Sequence, residues 1–309
     1  MRIFITGISG LLGANFAFQQ RDNHEVSGSY WTHPFVYPGI AAGRLDITEG
    51  NSVGATIAKA RPDVVIHTAG ITNVDECEVD EKRAIEINAS GSLNVAIAAQ
   101  RSGARLIHIS TDHLWSDPTA MAVETEPPRP LNAYARSKLL AEEEVSCRYP
   151  ESLIVRTNFF GWGTTLKSSL SEWVLSKLSR GEPLRMFHDV FITPILINDL
   201  VDLIMLLVSR GASGVYHVCG RNRVSKYEFG QVLAAHFGYD PKEITPISVK
   251  ERSLIAPRPS DMSLNAAKAE RFLGRNMPSI VESVNRLAEL DKQGWPQLLA
   301  AAVAANVDK

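Results

Sequence analysis

The strongest constraint lies in the first twenty residues, where an apolar run at residues 2–6 (RIFIT) ends in GISGLLG and continues as a helical pattern. Gly7, Gly10 and Gly13 follow G-x-x-G-x-x-G across the turn from strand to helix. One glycine suffices for a tight turn, so the other two need reasons of their own. A bare Cα at the second position lets backbone N–H groups approach a pyrophosphate, and the N-terminus of a helix opening at Leu11 and Leu12 adds partial positive charge. The third lets helix and strand pack closely. With a strand before and a helix after, at the head of a βαβ pattern, the turn reads as a dinucleotide site.

The pattern downstream agrees. Further strands are expected at residues 25–29 (EVSGS), 63–68 (DVVIHT), 104–110 (ARLIHIS) and 152–157 (SLIVRT), with another between the first two of these near RLDIT. Most are unbroken apolar runs rather than alternating ones, as in strands covered on both faces. Helical stretches separate them, such as residues 81–101, closed by Gly103. Strands alternating with helices predict an α/β fold, a Rossmann-type doubly wound parallel sheet. In the second half, Pro and Gly become frequent, and Ser225-x-x-Glu228 and Ser279-x-x-Glu282 carry the S-x-x-E helix-capping signature. GVYHVC at residues 214–219 reads as one more strand. The expected organisation is therefore a dinucleotide-binding domain over 1–160, completed by segments near 186–220, and a smaller, discontinuous substrate-binding lobe over 161–309.

Composition excludes several function classes. The 309 residues carry a net charge of −2 with no Lys/Arg-dense stripe, so no nucleic-acid partner is expected. No apolar run approaches membrane-spanning length, and no secretory signal is evident at the N-terminus. Cys77, Cys147 and Cys219 lack metal-ligand spacing; no metal is expected, and reduced thiols in a cytoplasmic protein are the simplest account.

The second strand ends Ser29-Tyr30-Trp31-Thr32-His33 with no carboxylate to hold the ribose hydroxyl of NAD. That absence leans toward NADP and leaves NAD open, since no arginine stands there either. Asp46, followed by Ile47 in RLDIT, either meets the adenine or is a turn aspartate. For chemistry, the pair that stands out is Tyr134 and Lys138 in YARSK: of the seven tyrosines, only Tyr134 has a lysine four positions on, hence on the same helical face. A nearby ammonium stabilises a phenolate and lowers the phenol's pKa. HISTDHLW places Thr111 and Asp112 at the carboxyl edge of the sheet, where open α/β sheets bind ligands. A hydroxyl there can hydrogen-bond a carbonyl oxygen that the tyrosine protonates.

Taken together, TGISGLLG, HTAGITNVDECE, INASGSLNVA, STDHLW, YARSK, RTNFFGWG and RPSDMSL, spread over residues 6–264, resemble the extended short-chain dehydrogenase/reductase superfamily. STDHLW with RPSDMSL resembles its dTDP-4-dehydrorhamnose reductase branch. The resemblance implies NADP-dependent reduction of the C4 carbonyl of a nucleotide-linked 4-keto-6-deoxy sugar, with Thr111, Tyr134 and Lys138 as the catalytic set. It further implies that Ala69, Gly70 and Asn88 line the cofactor. Arg156, Thr157 and Asn158 would lie beside the nicotinamide, and Arg258 on the substrate diphosphate. Such folds often form a homodimer. The chain departs from the branch at His113-Leu114-Trp115 followed by Ser116-Asp117, and at Phe159 where relatives often carry tryptophan; both changes fall in the sugar pocket. Two alternatives stand beside this reading. One is a sugar-nucleotide epimerase on the same scaffold, for which His113 and His188 are the conceivable extra bases. The other is a non-enzymatic NADP-binding subunit resembling the regulatory subunit of methionine adenosyltransferase.

Overall fold

A computed structural model describes residues 1–116, 120–166 and 168–303; Asp117 lies outside them. The centre is a seven-stranded sheet. In chain order its first six strands are β1 (Arg2–Thr6), β2 (Glu25–Tyr30), β3 (Ala41–Arg44), β4 (Val64–His67), β5 (Arg105–Ile109) and β6 (Leu153–Arg156), and the seventh is Gly214–His217. Their spatial order, seventh-β6-β5-β4-β1-β2-β3, reverses direction between β1 and β4. Every pairing is parallel. This is the doubly wound α/β sheet that the unbroken apolar runs predict. β4 and β6 are buried at all four positions because helices cover both faces.

The helices that matter to the site are α1 (Leu11–Gln20), α2 (Gly50–Ala60), α3 (Val74–Val79), α4 (Glu81–Ile85), α5 (Gly91–Arg101) and α6 (Ala133–Arg148). The stretch expected as one helix over residues 81–101 is interrupted by a π-turn at Glu86–Ser90, and Gly103 follows its end at φ 66°. Such turns recur at functional sites, and this one contains the buried Asn88. One apolar layer, with Ile5, Phe16, Ile66 and Leu200, packs on one side of the sheet. A second, with Phe4, Val65, Val95 and Leu106, packs on the other.

After β6 the chain leaves the sheet, returns for Gly214–His217 and leaves again. The helices Leu170–Ser179, Lys226–His236 and Ile280–Lys292 gather around Phe160, Met186 and Phe229 as a separate apolar cluster. The capping signatures at Ser225 and Ser279 form as reciprocal side-chain-to-backbone boxes with Glu228 and Glu282. Among the described residues no helix is long and apolar enough to cross a membrane.

Candidate active site

A cavity of about 360 Å³ opens at the carboxyl edge of the sheet, beyond the ends of the adjacent strands β1 and β4. Its floor is the glycine turn. Gly7 has φ +72°, and a Cβ on it would lie 2.9 Å from the Ala69 backbone; a Cβ on Gly13 would lie 2.3 Å from the Gly7 carbonyl. These two glycines answer to the protein's own backbone. Gly10 does not: a Cβ there would meet one atom, Gly7 O at 3.2 Å, and the residue is exposed to the cavity. It is also the N-cap of α1 and supplies no capping side chain, so the first N–H groups of that helix are left for a ligand. Substitution should separate the roles. Gly13→Ala is expected to lower stability by about 1–3 kcal/mol in urea unfolding, because backbone must move. Gly10→Ala should change stability by less than about 0.5 kcal/mol yet weaken dinucleotide binding measured by titration.

Thr111, Tyr134 and Lys138 converge on the cavity. All three are buried, at 4%, 8% and 9% exposure. Thr111 follows β5, while Tyr134 and Lys138 come from the first two turns of α6, whose N-cap Asn132 accepts from Ala135 N. Burial pushes the Tyr134 phenol above its ordinary value, and a hydrogen bond with Thr111 pulls part of the way back. The spacing alone predicts a phenol lowered by its lysine; what moves it instead is burial, which dominates, and Thr111, with Lys138 turned to Ile109 O, and burial is not visible in spacing. Lys138 is pushed down to about 8, again by burial, with Glu142 opposing. Its Nζ donates to Ile109 O at 2.7 Å and lies 3.4 Å from His108 Nε2. Beside Thr111, Asp112 accepts from Asn158 Nδ2 at 2.6 Å and is pushed up to about 7 by burial.

Residues 1–292 match the family described as RmlD substrate binding domain. The chain belongs to this family. Similar members include the probable low-salt glycan biosynthesis reductase Agl14 of Haloferax volcanii, 28% identical over 93% of this chain and 97% of that protein. The dTDP-4-dehydrorhamnose reductase of Mycobacterium tuberculosis is 31% identical over 86% of this chain and 85% of its own. Among solved structures, dTDP-4-dehydrorhamnose reductase of Bacillus anthracis in complex with NADP superposes with a TM-score of 0.81 at 27% identity. That match covers 93% of this chain and 98% of the other.

The fold brings most residues expected of an RmlD-family site to one cavity. Gly10, Leu11 and Leu12 line it from the turn, Ala69, Gly70 and Asn88 from the β4 side, and Asp112, Thr157 and Phe159 from the far wall. Gly7 and Gly13 shape the turn from beneath. Asp46 and Ile47 are not among the lining residues. Asp46 Oδ1 accepts from Thr48 N at 2.9 Å and from its hydroxyl at 2.7 Å, and Ile47 is buried against Gly91. Asn88 lines the cavity but spends its amide on protein: Oδ1 accepts from Ile71 N, and Nδ2 donates to Ile71 O and Ser137 Oγ. It ties the loop after β4 to α6.

Arg156 does not face the cavity. It is buried in a bidentate pair with Glu142, with Nη2 2.7 Å from Oε2. Arg258 is likewise engaged, with Asp75 at 2.9 Å and with Ala256 O. Of the departures from the family pattern, Leu114 and Trp115 are buried in the core, whereas His113 and Phe159 line the cavity. His188 is exposed and not among the lining residues. Sequence reasoning misses Thr164 and Leu166, which line the cavity from a loop with no motif; the Thr164 hydroxyl donates to Ser9 O in the glycine turn.

Four buried histidines make stability depend on pH. Burial holds His67, His113 and His217 at about 3, and His108 well below its ordinary value. Unfolded imidazoles take up a proton near ~6.5, so the unfolded chain binds more protons below that value. Their contribution is complete above pH 6.5 and is lost as pH falls toward 3. Asp112 has the opposite sign: its raised value gives stability that is full below the unfolded carboxylate range and lost as pH rises through about 7. Four groups outweigh one, so the urea midpoint should fall from pH 7 to pH 5. A flat or rising midpoint would contradict the buried neutral histidines.

Proposed function

We propose that the chain is an NADPH-dependent reductase of the C4 carbonyl of a nucleotide-linked 4-keto-6-deoxy sugar. The observation that carries it is the meeting of a phenol, an amine and a hydroxyl in a cavity floored by the glycine turn. The residues fit a dinucleotide on the structure's own terms. Gly10 leaves room over an uncapped helix start. The buried Thr157 Oγ1, on the opposite wall, has no hydrogen-bond partner among the described residues. Residues 10–13, Ala69, Gly70, Lys138 and Thr157 would hold the cofactor. A bound reduced nicotinamide would supply the hydride.

The chain's own residues handle the oxygen. Desolvation keeps Tyr134 protonated at neutral pH, so it enters as the acid that reduction needs and gives its proton to the carbonyl oxygen. Thr111, in contact with the phenol, orients that oxygen. Lys138, cationic over most of the neutral range despite its lowered value, offsets the phenolate left behind. Asp112, His113 and Phe159 form the sugar side of the wall. Arg258 reaches a diphosphate by exchanging its Asp75 partner for phosphate. The division into a cofactor half (1–160 with segments near 186–220) and a mainly substrate lobe (161–309) is part of this reading, and the separate apolar cluster around Phe160 and Phe229 supports it. Three free cysteines support a reducing, cytoplasmic setting.

The test is coenzyme oxidation against a panel of 4-keto-6-deoxy nucleotide sugars, with NADPH and NADH in parallel. Consumption of NADPH with at least one sugar is expected; no oxidation with any of them refutes the reading. Solvent deuterium entering C3 or C5 without net oxidation would select the epimerase instead.

A further inference from the structure

In dinucleotide folds the end of the second strand meets the adenosine ribose, and here that end carries neither acid nor arginine of its own. β2 closes at Tyr30 and is followed by Trp31, Thr32 and His33. The neighbouring strand supplies what is missing. Tyr30 pairs in register with Arg44 at the end of β3, and the Arg44 guanidinium carbon lies 4.2 Å from the centroid of the Trp31 ring. Ile8, inside the glycine turn, donates its N–H to Ser29 O at 2.9 Å, which fixes this strand end beside the turn.

Trp31 is 48% exposed and Arg44 is exposed as well. Among the described residues the indole is the partner of the guanidinium, and no carboxylate pairs with it. Asp46, two residues on, turns one carboxylate oxygen into its own loop. Stacking on an indole leaves the in-plane N–H groups of the guanidinium free to donate, and their fork matches a phosphate bidentately. A ribose hydroxyl offers no charge for that fork to meet.

We propose that Arg44, laid on Trp31, binds the 2′-phosphate of the adenosine ribose and sets the preference of this chain for NADPH over NADH. The proposal rests on the dinucleotide site of the reductase reading and adds the residue that chooses between coenzymes.

Adenosine 2′,5′-bisphosphate and 5′-AMP differ by the one phosphate at issue, and calorimetric titration of each needs no catalysis. The wild-type chain should bind the bisphosphate roughly tenfold or more tightly than 5′-AMP, with an advantage that shrinks as salt rises. Arg44→Gln should weaken the bisphosphate roughly ten- to a hundredfold while leaving 5′-AMP unchanged. Arg44→Lys, which keeps charge but not the fork, should fall between. Unaltered thermal melting checks that the exposed site still folds. Bisphosphate binding that survives Arg44→Gln, or equal loss of both ligands, overturns the proposal. Equal wild-type affinities for the two ligands overturn it as well and leave an NADH-dependent reductase standing. Failure of the wild-type chain to bind either ligand, or NADPH itself, sinks the reductase reading with it.

Discussion

Tyr134→Phe should lower turnover by about 10²–10⁴ while NADPH affinity stays within a small factor of wild type. That range is what a positioned proton donor contributes. The substitution removes one oxygen from a residue that is 8% exposed and packed with Cys77, Ala84 and Ala133, so the fold has little to lose. The raised phenol makes a second signature available. The donor is protonated throughout the neutral range, so any alkaline loss of turnover would follow Lys138, with its value of about 8, before it followed the phenol. Steady-state turnover from pH 6 to 9.5, with coenzyme binding measured separately, tests both statements. Turnover equal to wild type in the Phe variant would remove Tyr134 from the chemistry.

The second large effect concerns stability. Glu142 and Arg156 are 3% and 5% exposed, and three guanidinium-to-carboxylate contacts of 2.7–3.1 Å join them. The Ser110 hydroxyl also donates to Glu142, so the pair braces the segment that carries Thr111. Glu142→Ala leaves a buried guanidinium without its counter-charge and should cost about 3–5 kcal/mol in urea unfolding. Replacing both, Glu142→Leu with Arg156→Met, should cost much less than the single change, since no charge is then stranded. Equal losses in the two variants would mean that packing, not charge pairing, sets the penalty.

The parts of the site that were legible in the sequence are those built from neighbours along the chain. The turn at Gly7, Gly10 and Gly13 and the Tyr134/Lys138 face of α6 depend on local spacing, and Gly10, Tyr134 and Lys138 line the cavity as that spacing requires. The sheet was legible for a similar reason, since strands covered on both faces must be apolar throughout. Distant partners were not legible. Asn88 meets Ser137 across 49 positions, and Arg258 meets Asp75 across 183, so neither the bridging role of the one nor the ion pair of the other leaves a local pattern. Arg156 ends an apolar strand beside the cavity, but its charge is directed to α6 by Glu142, one turn beyond Lys138. Burial was the other invisible quantity, and it reverses the direction expected for Tyr134.

The strand at Gly214–His217 has a consequence for how the molecule can be divided. It comes from beyond the excursion yet hydrogen-bonds along the whole of β6. A fragment ending after β6 would keep the glycine turn and the Tyr134/Lys138 helix but expose the backbone of its outermost strand as a raw, sticky seam. The glycine turn and the Tyr134/Lys138 pair come from the first half of the polymer, whereas the hem along the open side of that half's sheet is sewn from the second.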